Sequence, residues 1–344
     1  MTFSPPVEAA LAAVDEGAYT TGPDGARLPQ TSSPTVIATM LDLLDVTPGA
    51  RVLEIGTGSG YSTALLSHLV GDAGHVTTVE VVPELVTRAE ELLHNHGRRN
   101  VEPICGDGAK GAPGRADEFD RVIAWATSAR IPDEWVVQAT PQAVIVTPVN
   151  LTGMAKTFGV ARVRCEGEEM VAEQLVPGGF VEAHDQVVDQ WLVPPYGADA
   201  VTRDGEGCSW WLSAEWLRTR QDSDTLGRAL LDRLMLDGRP APGPLDESED
   251  HNGFYGFLLA TRPQGLTTAA CGEPVWRIGY ASPSEAALIS FSDAQRAFHA
   301  GDGHALQVLA GWADSWRAQG QPAFADLRPT LRRIQDGWQV RVHL

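Results

Sequence analysis

One stretch restricts the fold more than any other: Val52-Leu53-Glu54-Ile55-Gly56-Thr57-Gly58-Ser59-Gly60-Tyr61. Strand-forming residues run directly into glycine at every second position, and residues 62–70 have helical composition. Strand, tight turn, helix is the opening unit of a nucleotide-binding α/β sheet. Lacking a Cβ, glycine reaches positive φ and lets a ligand lie against bare backbone. Dinucleotide sites favour G-x-G-x-x-G, with the pyrophosphate at the helix start. Here the pattern is Gly56-x-Gly58-x-Gly60, preceded by Glu54. An acid facing the turn suits a cation better than a pyrophosphate. S-adenosyl-L-methionine, with a sulfonium, an ammonium and no phosphate, meets that condition.

The flanking chain extends the same unit. Ser33 before Pro34 reads as a helix N-cap with proline at the first helical position, and Val36, Ile37, Met40, Leu41 and Leu44 follow at helical spacing. Residues 17–29, rich in glycine and proline, read as a loop. The β-branched run 75–80 closes on Glu80, about 20 residues past Gly60, where a carboxylate can accept both ribose hydroxyls. A helix over 83–95, strands over 101–104, 119–126 and 143–149, and the loop Gly106-Asp107-Gly108 complete the pattern. Asp107 is placed to accept from an adenine amino group. Strands alternating with helices imply a mostly parallel sheet covered on both faces, with ligands at the carboxyl ends of its strands. The glycine turn, Glu80 and Asp107 all fall at that edge.

With 344 residues the chain can hold one large core or two smaller ones. No window reaches ~18 consecutive apolar residues, and the N-terminus lacks a basic run before an apolar one, so a cytoplasmic protein with neither membrane span nor signal peptide is expected. The net charge of −19 excludes a non-specific binder of nucleic acid or anionic membrane. Lys110 and Lys156 are the only lysines among the 26 basic residues. Cys105, Cys165, Cys208 and Cys271 have no metal-ligand spacing, so free thiols and no metal site are expected.

Over residues 18–181 the sequence resembles the protein-L-isoaspartate O-methyltransferases. Leu53-Glu54-Ile55-Gly56-Thr57-Gly58-Ser59-Gly60-Tyr61 is close to the family signature. Asn100-Val101, Gly106-Asp107-Gly108, Phe119-Asp120-Arg121-Val122-Ile123, Ile131-Pro132 and Leu175-Val176-Pro177 follow in family order. The family carries T-I-S-x-P before a helix. Aligned on Pro34, this chain has Gln30-Thr31-Ser32-Ser33-Pro34, with Gln30 in place of the threonine. The resemblance makes Ser32 the active-site hydroxyl, with Thr31 and Ser33 beside it against substrate. It assigns the cofactor to Glu54, Gly56, Thr57, Gly58, Ser59, Gly60, Glu80, Val81, Asp107 and Gly108. The implied reaction is attack of a peptide or protein carboxylate on the sulfonium methyl. A carboxylate is already ionised at pH 7 and needs no strong base. Ser32 then orients it rather than acting as nucleophile.

The expected architecture is therefore a Rossmann-like class I methyltransferase sheet over residues 1–183 with an additional C-terminal α+β domain over 184–344. The second region is not low in complexity. Residues 254–259 and 275–280 read as strands, 225–236 as a helix and 239–250 as a proline-rich acidic loop. Ala305, Leu306, Leu309, Trp312 and Trp316 share a helical face. Its tryptophans read as core before they read as a peptide-binding face. A repair enzyme accepting many isoaspartyl sequences gains little from an extra module, whereas an enzyme for one peptide gains remote contacts. On that ground the sequence alone favours tailoring of an aspartyl residue in a ribosomally made peptide, the methyl ester closing to an aspartimide. The alternative is repair of L-isoaspartyl residues in damaged proteins. The altered Gln30-Thr31 pair leaves a third reading, a non-catalytic cofactor-binding protein.

Overall fold

The computed structural model describes residues 2–22, 24–28, 31–167, 169–184, 194–273 and 275–344. Three helices lead in: α1 (Pro5–Ala13), α2 (Glu16–Thr20) and α3 (Pro34–Leu44). The α/β unit follows as β1 (Arg51–Ile55), α4 (Tyr61–Val70), β2 (His75–Glu80), α5 (Pro83–Asn95), β3 (Val101–Cys105), β4 (Phe119–Ala124), β5 (Ile131–Pro132), α6 (Asp133–Gln138), β6 (Ala139–Asn150), β7 (Phe158–Glu166) and β8 (Glu169–Val176). The first sheet has the order β3-β2-β1-β4-β6-β7-β8. Its first five strands are parallel. The hairpin β7–β8 adds two antiparallel strands, absent from the sequence expectation, beside β6.

One face of this sheet packs on the N-terminal helices. Val52, Val76, Ile123, Val144, Val146 and Val160 meet Ile37, Leu41, Leu65 and Leu93 in one buried cluster. The alternate residues Leu53, Ile55, Val122, Ile145 and Val163 point the other way and join a cluster that continues into the C-terminal half. Alternating residues of a strand face opposite sides, so a strand buried on both faces reads as a continuous apolar run.

The C-terminal half is built on β9 (Ala200–Arg203), β10 (Ser209–Ser213), β11 (Arg239–Pro242), β12 (Leu266–Cys271), β13 (Trp276–Ser282), β14 (Glu285–Ser290) and β15 (Arg296–Ala300). They form a second, antiparallel sheet of order β11-β15-β14-β13-β12-β10-β9. Helix α7 (Glu215–Arg218) and helix α8 (Ser223–Asp237) cover one face of that sheet, whereas α9 (His251–Thr261) and α10 (His304–Ala318) cover the other. The last hairpin, β16 (Arg328–Ile334) and β17 (Gly337–His343), returns to the first half, where β17 pairs with β5. The Arg333 guanidinium grips the Asp133 carboxylate at this seam.

Three expectations change. Residues 17–20 of the proposed loop belong to helix α2, started by the Asp15 carboxylate, which accepts from the Gly17 amide at 3.0 Å. Residues 254–259 lie in α9, not a strand. Asp250 caps that helix and Arg262 closes it in the left-handed conformation. A short run buried all round shows no period, so its flanking caps decide its type. The acidic loop begins as an edge strand, where Pro240 and Pro242 are tolerated, and its Glu249 turns inward onto Arg317.

Candidate active site

The glycine turn connects β1 to α4. Gly56, Gly58 and Gly60 have φ of 93°, 51° and 84°, the left-handed region that favours glycine. The three differ in surroundings. A Cβ on Gly60 would meet the Ala89 Cβ at 3.3 Å, so there glycine allows α5 to close on the turn. A Cβ on Gly58 would meet nothing within 4 Å, which makes its backbone the open face of the turn. Glu80, only 8% exposed at the end of β2, joins two loops through one carboxylate. Its Oε2 accepts from the Gly58 amide at 3.0 Å, and its Oε1 from the amides of Val81 and Val82 at 2.9 and 3.1 Å. Gly58, Glu80 and Val81 are thus brought together.

The β3 loop belongs to the same edge. The Gly106 amide donates to the Glu80 carbonyl. The Asp107 carboxylate starts a short 3-10 turn by accepting from the Ala109 amide at 2.9 Å. A Cβ on Gly108 would stand 2.5 Å from the Ile55 Cγ2, so glycine lets this loop lie against the end of β1. Ser59 accepts from the Tyr61 amide and helps shape the start of α4.

Glu54 departs from its expected role. Its side chain does not face the open turn but is fully buried beneath it. The carboxylate accepts from Ser62 Oγ (2.6 Å), Thr78 Oγ1 (2.7 Å), Trp125 Nε1 (2.8 Å) and the Thr63 hydroxyl. Thr57, also buried, donates to Thr78 at 2.6 Å and extends this network. Burial pushes the Glu54 pKa upward, and the four donors pull against it. Glu54 therefore ties β1, β2, α4 and the chain after β4 into one rigid platform.

Arg88, not singled out from sequence, secures the N-terminal segment to this platform. Its guanidinium donates to the carbonyls of Ser59 (3.0 Å), Tyr19 (2.7 Å) and Thr21 (3.2 Å). The signal was present, since Arg88 interrupts the apolar stripe of α5 between Leu85 and Leu92. Thr21 bridges to Arg27, whose guanidinium contacts Glu16 and the Ser32 carbonyl.

The three hydroxyls before α3 are not equivalent. Thr31 Oγ1 donates to the Leu28 carbonyl at 2.9 Å. Ser33 caps α3, its Oγ accepting from the Val36 amide at 3.4 Å. Both take part in local structure, Thr31 through its hydrogen and Ser33 through its oxygen. The Ser32 hydroxyl has no hydrogen-bond partner among the described residues, and Gln30 lies outside them. Helix α3 packs across β4, β6 and β7. Its last turn is tied toward the amino ends of β4 and β6, where Arg121 Nε donates to the Asp45 carbonyl at 2.9 Å. Eleven residues of helix span about 16 Å, which carries Ser32 to the carboxyl side of β4 and β6. The glycine turn occupies the same edge over β1 and β2.

Residues 10–187, more than half of the chain, match the profile of the family described as protein-L-isoaspartate(D-aspartate) O-methyltransferase. Protein-L-isoaspartate O-methyltransferase of Ignicoccus hospitalis is 42% identical over 151 residues, covering 44% of this chain and 70% of its own. That of Gloeobacter violaceus is 38% identical, covering 44% of this chain and 66% of its own. A solved protein-L-isoaspartate O-methyltransferase superposes with a TM-score of 0.51 at 18% identity, covering 99% of this chain and 96% of its own. That last likeness is one of fold, and it extends through the C-terminal half.

Proposed function

The chain belongs to the protein-L-isoaspartate(D-aspartate) O-methyltransferase family and is an S-adenosyl-L-methionine-dependent protein carboxyl O-methyltransferase, and we propose that it methylates L-isoaspartyl residues of damaged proteins in the cytoplasm. This takes the alternative of the sequence over its first choice. Peptide tailoring rests on a C-terminal half outside the family pattern, and a solved protein-L-isoaspartate O-methyltransferase shares its fold with nearly all of this chain. No feature of the described residues favours a single dedicated peptide.

The cofactor's chemistry fits the residues present. The open face at Gly58 offers bare backbone, and Glu80 stands beside it to accept ribose hydroxyls. Asp107 and Gly108 border the adenine side, with Gly56, Thr57, Ser59, Gly60 and Val81 contributing backbone around the ligand. S-adenosyl-L-methionine supplies an activated methyl group on a sulfonium.

The observation that carries the substrate side is the uncommitted hydroxyl of Ser32 between two engaged neighbours. Ser32 donates a hydrogen bond to one oxygen of the isoaspartyl carboxylate and aims the other at the methyl. Attack by a ready-made anion needs no general base, so positioning and removal of water carry the rate. Once the ester is formed, the following amide nitrogen attacks its carbonyl, loses its proton, and methanol departs. The succinimide then hydrolyses in part to ordinary aspartate. Two synthetic peptides differing only in aspartyl or isoaspartyl linkage test this reading. Methylation confined to the isoaspartyl peptide supports repair. Methylation confined to the aspartyl peptide restores the tailoring reading, and cofactor binding with no transfer to either favours the non-catalytic one.

A further inference from the structure

A buried ion pair lies past the carboxyl end of β6 and is not used in the reaction as described. Lys156 Nζ stands 3.0 Å from Glu182 Oε1, the two residues being 5% and 6% exposed. Glu182 Oε2 accepts from the Tyr196 amide at 3.1 Å. The Lys156 ammonium also sits 4.5 Å from the centre of the Trp276 ring and 5.6 Å from that of Phe158. Lys156 itself has a φ of 58°, a costly conformation for a side chain without local hydrogen-bonding capacity.

Each end of this pair holds something. Glu182 belongs to a segment fastened to Thr127, just past the end of β4. Thr127 donates its amide to the Val181 carbonyl (2.7 Å) and accepts from the Ala183 amide (2.8 Å), while its hydroxyl meets Phe180. Lys156 belongs to the β6–β7 connection, which the C-terminal half grips. There Ser213 Oγ accepts from the Ala155 amide (3.1 Å), Thr268 Oγ1 donates to the Ala155 carbonyl (2.7 Å), and Arg218 Nη1 donates to the Gly153 carbonyl (2.8 Å). A buried ion pair adds little stability over apolar side chains of similar size. Its distinctive effect is a fixed mutual position. A compact ammonium seated on an indole, in a chain with only one other lysine, fits that purpose.

We propose that Lys156 is a positioning residue for methyl transfer: paired with Glu182 and seated on Trp276, it fixes segment 180–183 against the end of β4, and the C-terminal half thereby sets how the polypeptide substrate is held. This rests on the reading that substrate lies on the Ser32 side of the edge.

The test uses the full chain, an isoaspartyl peptide and S-adenosylmethionine, with steady-state kinetics beside calorimetric affinity for S-adenosylhomocysteine. In Lys156→Met the peptide KM rises about tenfold, kcat changes by less than about threefold, and cofactor affinity stays within about twofold. Lys156→Arg, which keeps a cation opposite Glu182, recovers part of the loss. Trp276→Leu, which leaves the ion pair in place, raises KM in the same sense. An unchanged KM in Lys156→Met and Trp276→Leu would overturn the inference, as would cofactor affinity falling in step with turnover. If Lys156→Met does not fold, Trp276→Leu decides. A wild-type enzyme inert toward the isoaspartyl peptide refutes the proposed function, and this inference with it. An active wild type with unmoved variants refutes this inference alone.

Discussion

A hydroxyl has one hydrogen to donate, and one that already donates to the backbone cannot orient a carboxylate without giving up its partner. Thr31 donates its hydrogen to the Leu28 carbonyl, Ser33 is held as the cap of α3 through its oxygen, and Ser32 between them has neither tie. Ser32→Ala is therefore expected to lower kcat/KM about 10–100-fold, the effect of losing a ~1.5–3 kcal/mol hydrogen bond to a charged group, with S-adenosylhomocysteine affinity unchanged. Ser33→Ala should show the complementary pattern, a stability loss of about 0.5–2 kcal/mol from the missing cap and near-normal turnover. Kinetics and thermal melts on the two variants check both. Glu54 makes a third case. Its oxygens face three hydroxyls and the Trp125 N–H, so the amide of Glu54→Gln must turn a hydroxyl from donor to acceptor or leave one of its own N–H groups unpaired. A buried donor left unsatisfied costs about 1–3 kcal/mol, and denaturant titration should find that loss whether or not cofactor is present.

At the scale of elements, the glycine turn separates two effects that look alike in sequence. Gly60 abuts Ala89 of α5, whereas Gly58 faces open space. Gly60→Ala should lower the melting temperature by strain and by pressing on α5. Gly58→Ala, at a similar left-handed cost of about 1–2 kcal/mol, should chiefly weaken cofactor binding; equal effects of both variants on affinity would contradict this division. The turn, β2 with Glu80 and α5 were legible because glycine spacing, β-branched runs and a proline start are local signals. What escaped depended on distance along the chain. Glu54 reads as an acid facing a ligand until Trp125, 71 residues away, is brought against it. The hairpin β7–β8 carries a period of two that goes unread beside a family pattern, and α9 hides its period because it is buried on nearly all sides. The special standing of Ser32 follows from what Leu28 and Val36 do with its neighbours, which composition does not reveal.

At the scale of the molecule, the two halves are joined through a shared core, the pairing of β17 with β5, and the grip of the second sheet on the β6–β7 connection. Within the C-terminal half, Glu249 is held by Arg317 through two hydrogen bonds of 2.7 Å and by the Asp246 amide and Gln321. The guanidinium first, and then the amide, lower its pKa from 4.5 to about 2. A carboxyl whose folded pKa is depressed contributes stability above its unfolded pKa and loses it as pH falls toward the folded one. Wild type should thus exceed Glu249→Gln in stability above pH 4.5, with the gap closing toward pH 2; a gap independent of pH in denaturant titrations would contradict the pairing. As proposed, this edge delivers a methyl group to an isoaspartyl carboxyl. The most direct measurement gives the enzyme methyl-labelled S-adenosylmethionine and an isoaspartyl peptide, then follows the label by mass. Label is expected in a base-labile ester on that peptide, passing into methanol as the succinimide forms; label in a base-stable linkage, or on the aspartyl peptide alone, would refute isoaspartyl methyl transfer.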